Sequence, residues 1–196
     1  MKVYLIRHGE TFSNADGTVQ AWSDSKLSEN GEKQAAELSK LMFGRHFDRI
    51  IASDLYRAKQ TLKIVFGDVS AEFDERLREI DNNCLFGKKR ADLIAEYGKI
   101  FTDAWYNYDY GFFGGESVER FKKRVLEFMR DLEKDEKSES VAIVTHSGTI
   151  HAFISNITGI VPNEMDPVIS NCSVSVAEFT KEKGWQLLSV NNKTEF

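Results

Sequence analysis

A chain of 196 residues that is 41% hydrophobic and 29% charged, with only two prolines, has the length and composition of one globular domain able to bury a full core. Its net charge of −5 argues against a nucleic-acid partner, because binding a phosphate backbone calls for a basic face. No apolar run approaches the ~20 residues of a membrane span, and the short run after Lys2 falls below the roughly 7–15 residues of a signal-peptide core.

In chain order, residues 3–6 (VYLI) read as a strand that is apolar without alternation, the pattern of a parallel strand covered on both faces. It runs straight into Arg7-His8-Gly9. Ser28 is placed to cap a helix in which Ala35, Leu38, Leu41 and Met42 recur at helical spacing. Residues 50–52 form a second buried strand, followed by Ser53-Asp54 and a helix over 55–66 with Ala58, Leu62 and Val65 on one face. Residues 101–113 (FTDAWYNYDYGFF) hold seven of the chain's 23 aromatic residues and show neither helical nor strand period. They suit a cluster packed under a long loop, or a lid over a pocket. Ser117 caps a further helix with Val118, Phe121, Val125, Phe128, Met129 and Leu132 on its apolar face, and the polar run 133–140 connects it to a third buried strand, 141–144. That strand ends in Thr145-His146-Ser147-Gly148 and leads into a helix over 149–158. Residues 173–180 and 185–190 flank the turn Lys181-Glu182-Lys183-Gly184 as a hairpin.

This order predicts an α/β fold: a three-layer α/β/α sandwich with a mostly parallel central sheet and an antiparallel edge. The whole of 1–196 reads as a single domain, with a helical, aromatic cap inserted at about 82–116. Cys84 and Cys172 lie far apart without CxxC spacing, which reads as two reduced thiols in a cytoplasmic protein.

The three buried strands all end in polar residues. In open α/β sheets ligands bind at the carboxyl ends of the strands, where helix N-termini favour an anion. Placing these ends side by side brings Arg7, His8, Arg57 and His146 to one small volume, a set of cations that anticipates a dianion. Metal binding is the competing use of two histidines, but there is no HxxxH or acidic pair, and arginine neighbours oppose a dication. Phosphate binding by a Walker loop fails at Asn82 and Lys89, where that motif needs glycine and serine or threonine.

These residues carry a resemblance. RHGET at positions 7–11 with Asn14, SDLYRAKQT at 53–61, LREID at 77–81, GGES at 114–117 and VTHSG at 144–148 resemble, in order, the blocks of the histidine phosphatase superfamily, also called the phosphoglycerate mutase-like family. The resemblance implies a phosphohistidine enzyme without metal or other cofactor. In it His8 is the nucleophile, Arg7, Arg57 and a charged His146 grip the phosphoryl group, and Glu79 is the general acid and later base. Asn14, Thr11, Ser147 and Gly148 contact substrate. Glu10 stays outside catalysis, Asp81 is either a supporting residue or a turn residue, His46 is a surface histidine, and His151 lies on a helix face, with a substrate-side role as its alternative.

The family divides by the fate of the phosphoryl group. Cofactor-dependent phosphoglycerate mutases carry basic residues in the insertion, whereas residues 101–113 here contain no Lys or Arg. The chain is more similar to the small phosphatase branch, which includes broad-specificity and α-ribazole phosphatases. It departs from that branch after Asp81, where it reads Asn-Asn-Cys-Leu-Phe-Gly. The implied partner is a small phosphorylated metabolite, with no nucleic acid and no membrane, the protein acting as a monomer or a dimer. A mutase is the alternative, and a phospho-ligand binding module is the non-catalytic one, although such a module would be expected to have lost His8 or Glu79. Lys88-Lys89-Arg90, at a helix start, either reaches a second anionic group or is solvated.

Overall fold

The computed structural model describes residues 1–160, 169–194 and 196. Its centre is a six-stranded sheet of order β3-β2-β4-β1-β5-β6. β1 (Lys2–Arg7) and β2 (Arg49–Ala52) lie on either side of β4 (Ser140–Thr145), both parallel to it, and the two-residue β3 (Glu72–Phe73) continues the parallel part. β5 (Val174–Thr180) runs antiparallel to β1 and is followed by β6 (Gly184–Asn192), giving the expected hairpin and antiparallel edge.

Each central strand sends alternate residues to two cores. Val3, Leu5, Ile51, Val141 and Ile143 pack with α6 (Val118–Glu133) and α7 (Ser147–Thr158), while Ile6, Ala52, Ala142 and Val144 pack with α2 (Glu29–Met42) and α3 (Tyr56–Phe66). That makes three layers and explains why these strands are apolar throughout. Helix α6 buries Phe121, Val125, Phe128, Met129 and Leu132 along one stripe, so Phe128→Ala should cost about 3–5 kcal/mol. Ser28 caps α2 as its position suggests, its Oγ accepting from the Gly31 N–H at 3.0 Å.

Two boundaries set the carboxyl end of the sheet. The register pairs Arg7 with Thr145 and Ala52 with Val144, so all three strands stop at one level. Gly9 then passes against α2 so closely that a Cβ there would stand 2.6 Å from the Gly31 carbonyl oxygen. A side chain at this position would push His8 away from the strand ends.

The aromatic segment corrects one expectation. Its first half is helical, within the expected helical cap: α5 (Lys99–Asn107) follows α4 (Arg90–Tyr97) and buries Phe101 and Ala104. The helical period is masked because Trp105, Tyr106 and Tyr108 face a cavity and not the core alone. A 3-10 turn at Gly111–Phe113 closes the segment. The short α1 (Phe12–Asp16) completes the α-helices among the described residues.

Candidate active site

A cavity of about 610 Å³ opens at the carboxyl ends of β1, β2 and β4. Arg7, His8, Asn14, Arg57, Glu79 and Ser147 all line it, although they come from separate stretches of sequence.

His8 is buried, and its Nδ1 lies 2.7 Å from the Gly9 carbonyl oxygen. A carbonyl only accepts, so Nδ1 carries the hydrogen and the lone pair of the neutral ring is on Nε2. Burial, followed by the charges of Arg57 and Arg7, holds the His8 pKa well below 6.5. The ring is therefore an unprotonated nitrogen base beside two guanidinium groups. The peptide behind it is clamped: the Asn171 amide donates to the His8 carbonyl at 2.9 Å, and Arg7 donates to the Ile169 carbonyl at 2.5 Å.

Arg57 is 1% exposed. Its Nε donates to His146 Nδ1 at 3.2 Å, and its two terminal nitrogens donate to the Ser23 and Ala21 carbonyls at 3.1 and 3.0 Å. Three of its five N–H groups are engaged, which leaves two for a ligand. Burial lowers its pKa to about 10, against the pull of Glu79, so the group stays charged at neutral pH.

His146 differs from expectation. Its ring stands 5.1 Å from that of His8, but Nδ1 accepts from Arg57 and Nε2 lies 2.8 Å from Ser53 Oγ. Burial and then Arg57 hold its pKa well below 6.5. Without a bound dianion, both nitrogens of His146 are thus engaged by Arg57 and Ser53, and the ring supports Arg57 from behind. Thr11 is also set back: its hydroxyl donates toward Asn14 Oδ1 at 3.0 Å and Gln20 Oε1 at 2.9 Å, and it caps α1. Asn14 itself lines the cavity.

Glu79 brings a carboxylate to the same cavity. Its carboxylate accepts from the Ile80 N–H at 2.9 Å and from the Gly148 N–H at 3.1 Å, so Gly148 helps to orient it. The irregular backbone carrying Glu79 is held from outside. Arg124 is bidentate to Glu116 at 2.8 and 2.9 Å, and it also donates to the carbonyls of Arg76, Arg78 and Glu79 at 2.6, 2.8 and 3.0 Å. The Leu77 carbonyl accepts from Thr145 Oγ1 at 2.7 Å. The GGES block therefore has a structural role, in which Glu116 anchors Arg124 and Arg124 fixes the strand-end loop. Asp81 serves that loop as well, accepting from the Asn83 N–H at 2.8 Å. Glu10 lies outside this set, bound by the Ser28 hydroxyl at 2.7 Å.

The aromatic segment and the α7 face add members to the cavity, in line with the lid reading of 101–113, although Tyr108 and Tyr110 were not singled out in the sequence. Tyr108 and Tyr110 line the cavity from the aromatic segment, and burial raises both phenols. Tyr108 ends α5 at φ +52° and hydrogen-bonds with Ser147. His151 packs its ring 5.6 Å from Tyr108 and also lines the cavity, with its pKa lowered to about 4 by burial. Of the basic tripeptide, Lys89 pairs with Asp16 at 2.8 Å, Lys88 lies over Tyr97, and Arg90 alone lines the cavity, its guanidinium 5.4 Å from the Trp105 ring centre. Among the described residues no group of three or more His, Cys, Asp or Glu side chains is placed to hold a metal ion, and no helix is long and apolar enough to cross a membrane.

Comparison with known proteins identifies the family. The profile of the "Histidine phosphatase superfamily (branch 1)" matches residues 3–193. "Probable phosphoglycerate mutase GpmB" of Salmonella paratyphi A is 31% identical over 190 residues, covering 94% of this chain and 87% of that protein. The structure of phosphoserine phosphatase from Entamoeba histolytica in complex with phosphoserine superposes with a TM-score of 0.83 at 26% identity, covering 98% of this chain and 97% of that one. The α-ribazole phosphatase from Shigella flexneri shares the fold with a TM-score of 0.88 at 24% identity, covering 100% and 98%. With two arginines and a neutral histidine at the strand ends and a profile match spanning nearly the whole length, the chain belongs to the histidine phosphatase superfamily, branch 1, and is an enzyme of the phosphomonoesterase kind.

Proposed function

We propose that this protein hydrolyses small-molecule phosphate monoesters through a phosphohistidine on His8, without a metal. The observation that carries the reading is the bond from His8 Nδ1 to the Gly9 carbonyl, which leaves Nε2 as a lone-pair nitrogen in a cavity lined by Arg7, Arg57 and Glu79. In the first step Nε2 forms a bond to phosphorus as the ester P–O bond breaks, and protonated Glu79 gives its proton to the leaving oxygen. In the second, water attacks phosphorus, Glu79 takes the water's proton, and the N–P bond breaks to release phosphate and neutral His8. Phosphoryl transfer asks the protein mainly for position and charge. Arg7 and the two uncommitted N–H groups of Arg57 supply that charge, while His146 and Ser53 hold Arg57 in place. Asn14 and Ser147 contact the substrate, Gly148 aims the acid, and Thr11 acts through Asn14. The remainder of the cavity, walled by Trp105, Tyr106, Tyr108 and Tyr110, accommodates the alcohol part of the ester.

The likeness to a protein named as a phosphoglycerate mutase keeps the mutase as the second reading. Against it, residues 101–113 add no Lys or Arg to the cavity, and of the insertion's basic tripeptide only Arg90 lines it. Incubation with p-nitrophenyl phosphate and a panel of phosphorylated metabolites should release inorganic phosphate, with poor interconversion of 2- and 3-phosphoglycerate even when bisphosphoglycerate is added. Efficient interconversion alongside negligible hydrolysis would make the mutase reading correct.

A further inference from the structure

Between α1 and α2 the chain crosses the mouth of the cavity, and one tripeptide of that crossing is bound to both halves of the site. The Ala21 and Ser23 carbonyls accept from the Arg57 guanidinium at 3.0 and 3.1 Å. Between them, the Trp22 indole Nε1 donates to the Glu79 carbonyl at 2.7 Å. Bending both flanking carbonyls onto one guanidinium puts Ala21 at φ +44°, a left-handed conformation that a residue with a Cβ adopts only at a cost.

Packing gives Trp22 little reason to be there. Among the described residues its side chain belongs to neither core and is not part of the cavity wall. The residue is 42% exposed, and one ring face is covered by the Arg78 guanidinium, 4.8 Å from the ring centre. Arg78 is itself fixed by two hydrogen bonds to Asp54. A large apolar ring left this open to water, with its N–H on a loop carbonyl, marks the N–H as the group that matters.

We propose that Trp22 is a positioning residue for the proton donor. Through it, the tripeptide that aligns the phosphoryl-binding Arg57 also sets the backbone from which Glu79 reaches the leaving oxygen. The Glu79 carbonyl has two acceptor sites, taken by Trp22 and Arg124, and its carboxylate is held by Ile80 and Gly148. Losing the indole N–H therefore frees one corner of the acid's support while Arg124 keeps the loop folded. This inference rests on the reading of His8 as nucleophile and Glu79 as acid.

The test is the single-turnover rate of His8 phosphorylation, measured by rapid quench with two substrates, p-nitrophenyl phosphate and a simple alkyl phosphate. Trp22→Phe keeps an aromatic face for Arg78 and removes the N–H. It should slow phosphorylation by the alkyl ester about tenfold, since displacement of a positioned group by a fraction of an ångström is costly. The nitrophenyl ester, whose leaving group needs no proton, should slow by less than about twofold. Equal slowing of both esters, or no slowing of either, would overturn the role. If the phenylalanine variant does not fold, β-(3-benzothienyl)alanine at position 22, which keeps the bicyclic shape without the N–H, makes the same comparison. Glu79→Gln run in parallel separates the two layers. If it slows the alkyl ester selectively and the Trp22 variants do not, only the positioning role falls. If it slows both esters alike, the assignment of Glu79 falls and this inference with it.

Discussion

Gly148 and Glu79 are fitted to each other at the edge of the cavity. The Gly148 N–H donates to one carboxylate oxygen at 3.1 Å, and a Cβ built on Gly148 would land on the other. The same Cβ would stand 2.8 Å from Cε1 of Tyr108, so it has no free direction in which to move. Gly148→Ala should therefore displace the acid while leaving His8 and the arginines in place. The expected result is a loss of about 10²-fold in single-turnover rate on an alkyl phosphate. Overpacking should also destabilise the fold by about 1–3 kcal/mol, readable by thermal unfolding. An alanine variant with unchanged rates would show that Glu79 does not need this contact.

A second prediction concerns pH and stability. Burial and then Arg57 hold His8 and His146 well below their ordinary value of 6.5, and burial lowers His151 to about 4. All three are neutral in the fold near neutral pH, but each takes up a proton once unfolded below pH ~6.5. The unfolded state then binds more protons, so stability is unaffected above that pH and falls below it. The slope approaches ~1.4 kcal/mol per pH unit for each histidine. Carboxylates held low, such as Asp131 at about 2, lose their contribution only in stronger acid. Melting temperature should thus drop between pH ~6.5 and ~5, and inorganic phosphate should offset the drop by compensating the cations. A melting temperature constant across that window would contradict the burial of neutral imidazoles.

Much of this arrangement was legible in the sequence, because strand ends are marked by where apolar runs stop. Val3–Ile6 ending in Arg7-His8 and Val141–Val144 ending in Thr145-His146 place two histidines at one level, and the register of β1 on β4 does the same. Residues that serve to hold others were not legible. Arg124 lies at one polar position of an amphipathic helix among several basic residues, and only its five hydrogen bonds distinguish it. The helix at Lys99–Asn107 was hidden for a related reason, since a helix lining a cavity carries aromatic residues on more than one face. His146 falls at the strand end as expected, but its partners do not show in the sequence: Arg57 and Ser53 touch its two nitrogens.

A third prediction follows from the donors at the site. Two guanidinium groups beside the phosphoryl position oppose a divalent cation and supply charge themselves. Hydrolysis of p-nitrophenyl phosphate should survive prolonged treatment with EDTA and show no stimulation by added divalent metals. Complete loss on chelation, restored by one metal, would overturn the proposed mechanism.

Arg57 offers a fourth test, because its role needs geometry as well as charge. Lysine keeps the charge but loses the fork that engages His146, Ser23 and Ala21 together. Arg57→Lys should lower kcat/KM by at least about 10²-fold and should lower thermal stability too, since buried carbonyls lose their donors. A lysine variant with near-native kcat/KM would mean that only the charge matters.

The most direct measurement for the whole account is the chemistry of the trapped intermediate. Labelled substrate quenched within one turnover should leave phosphate on the protein in a form that is stable in base and lost in acid, located at His8 by peptide mapping and absent from His8→Ala, which should also be inactive. An acid-stable label, a label on another residue, or undiminished turnover in His8→Ala would contradict a reaction that passes through Nε2 of this histidine.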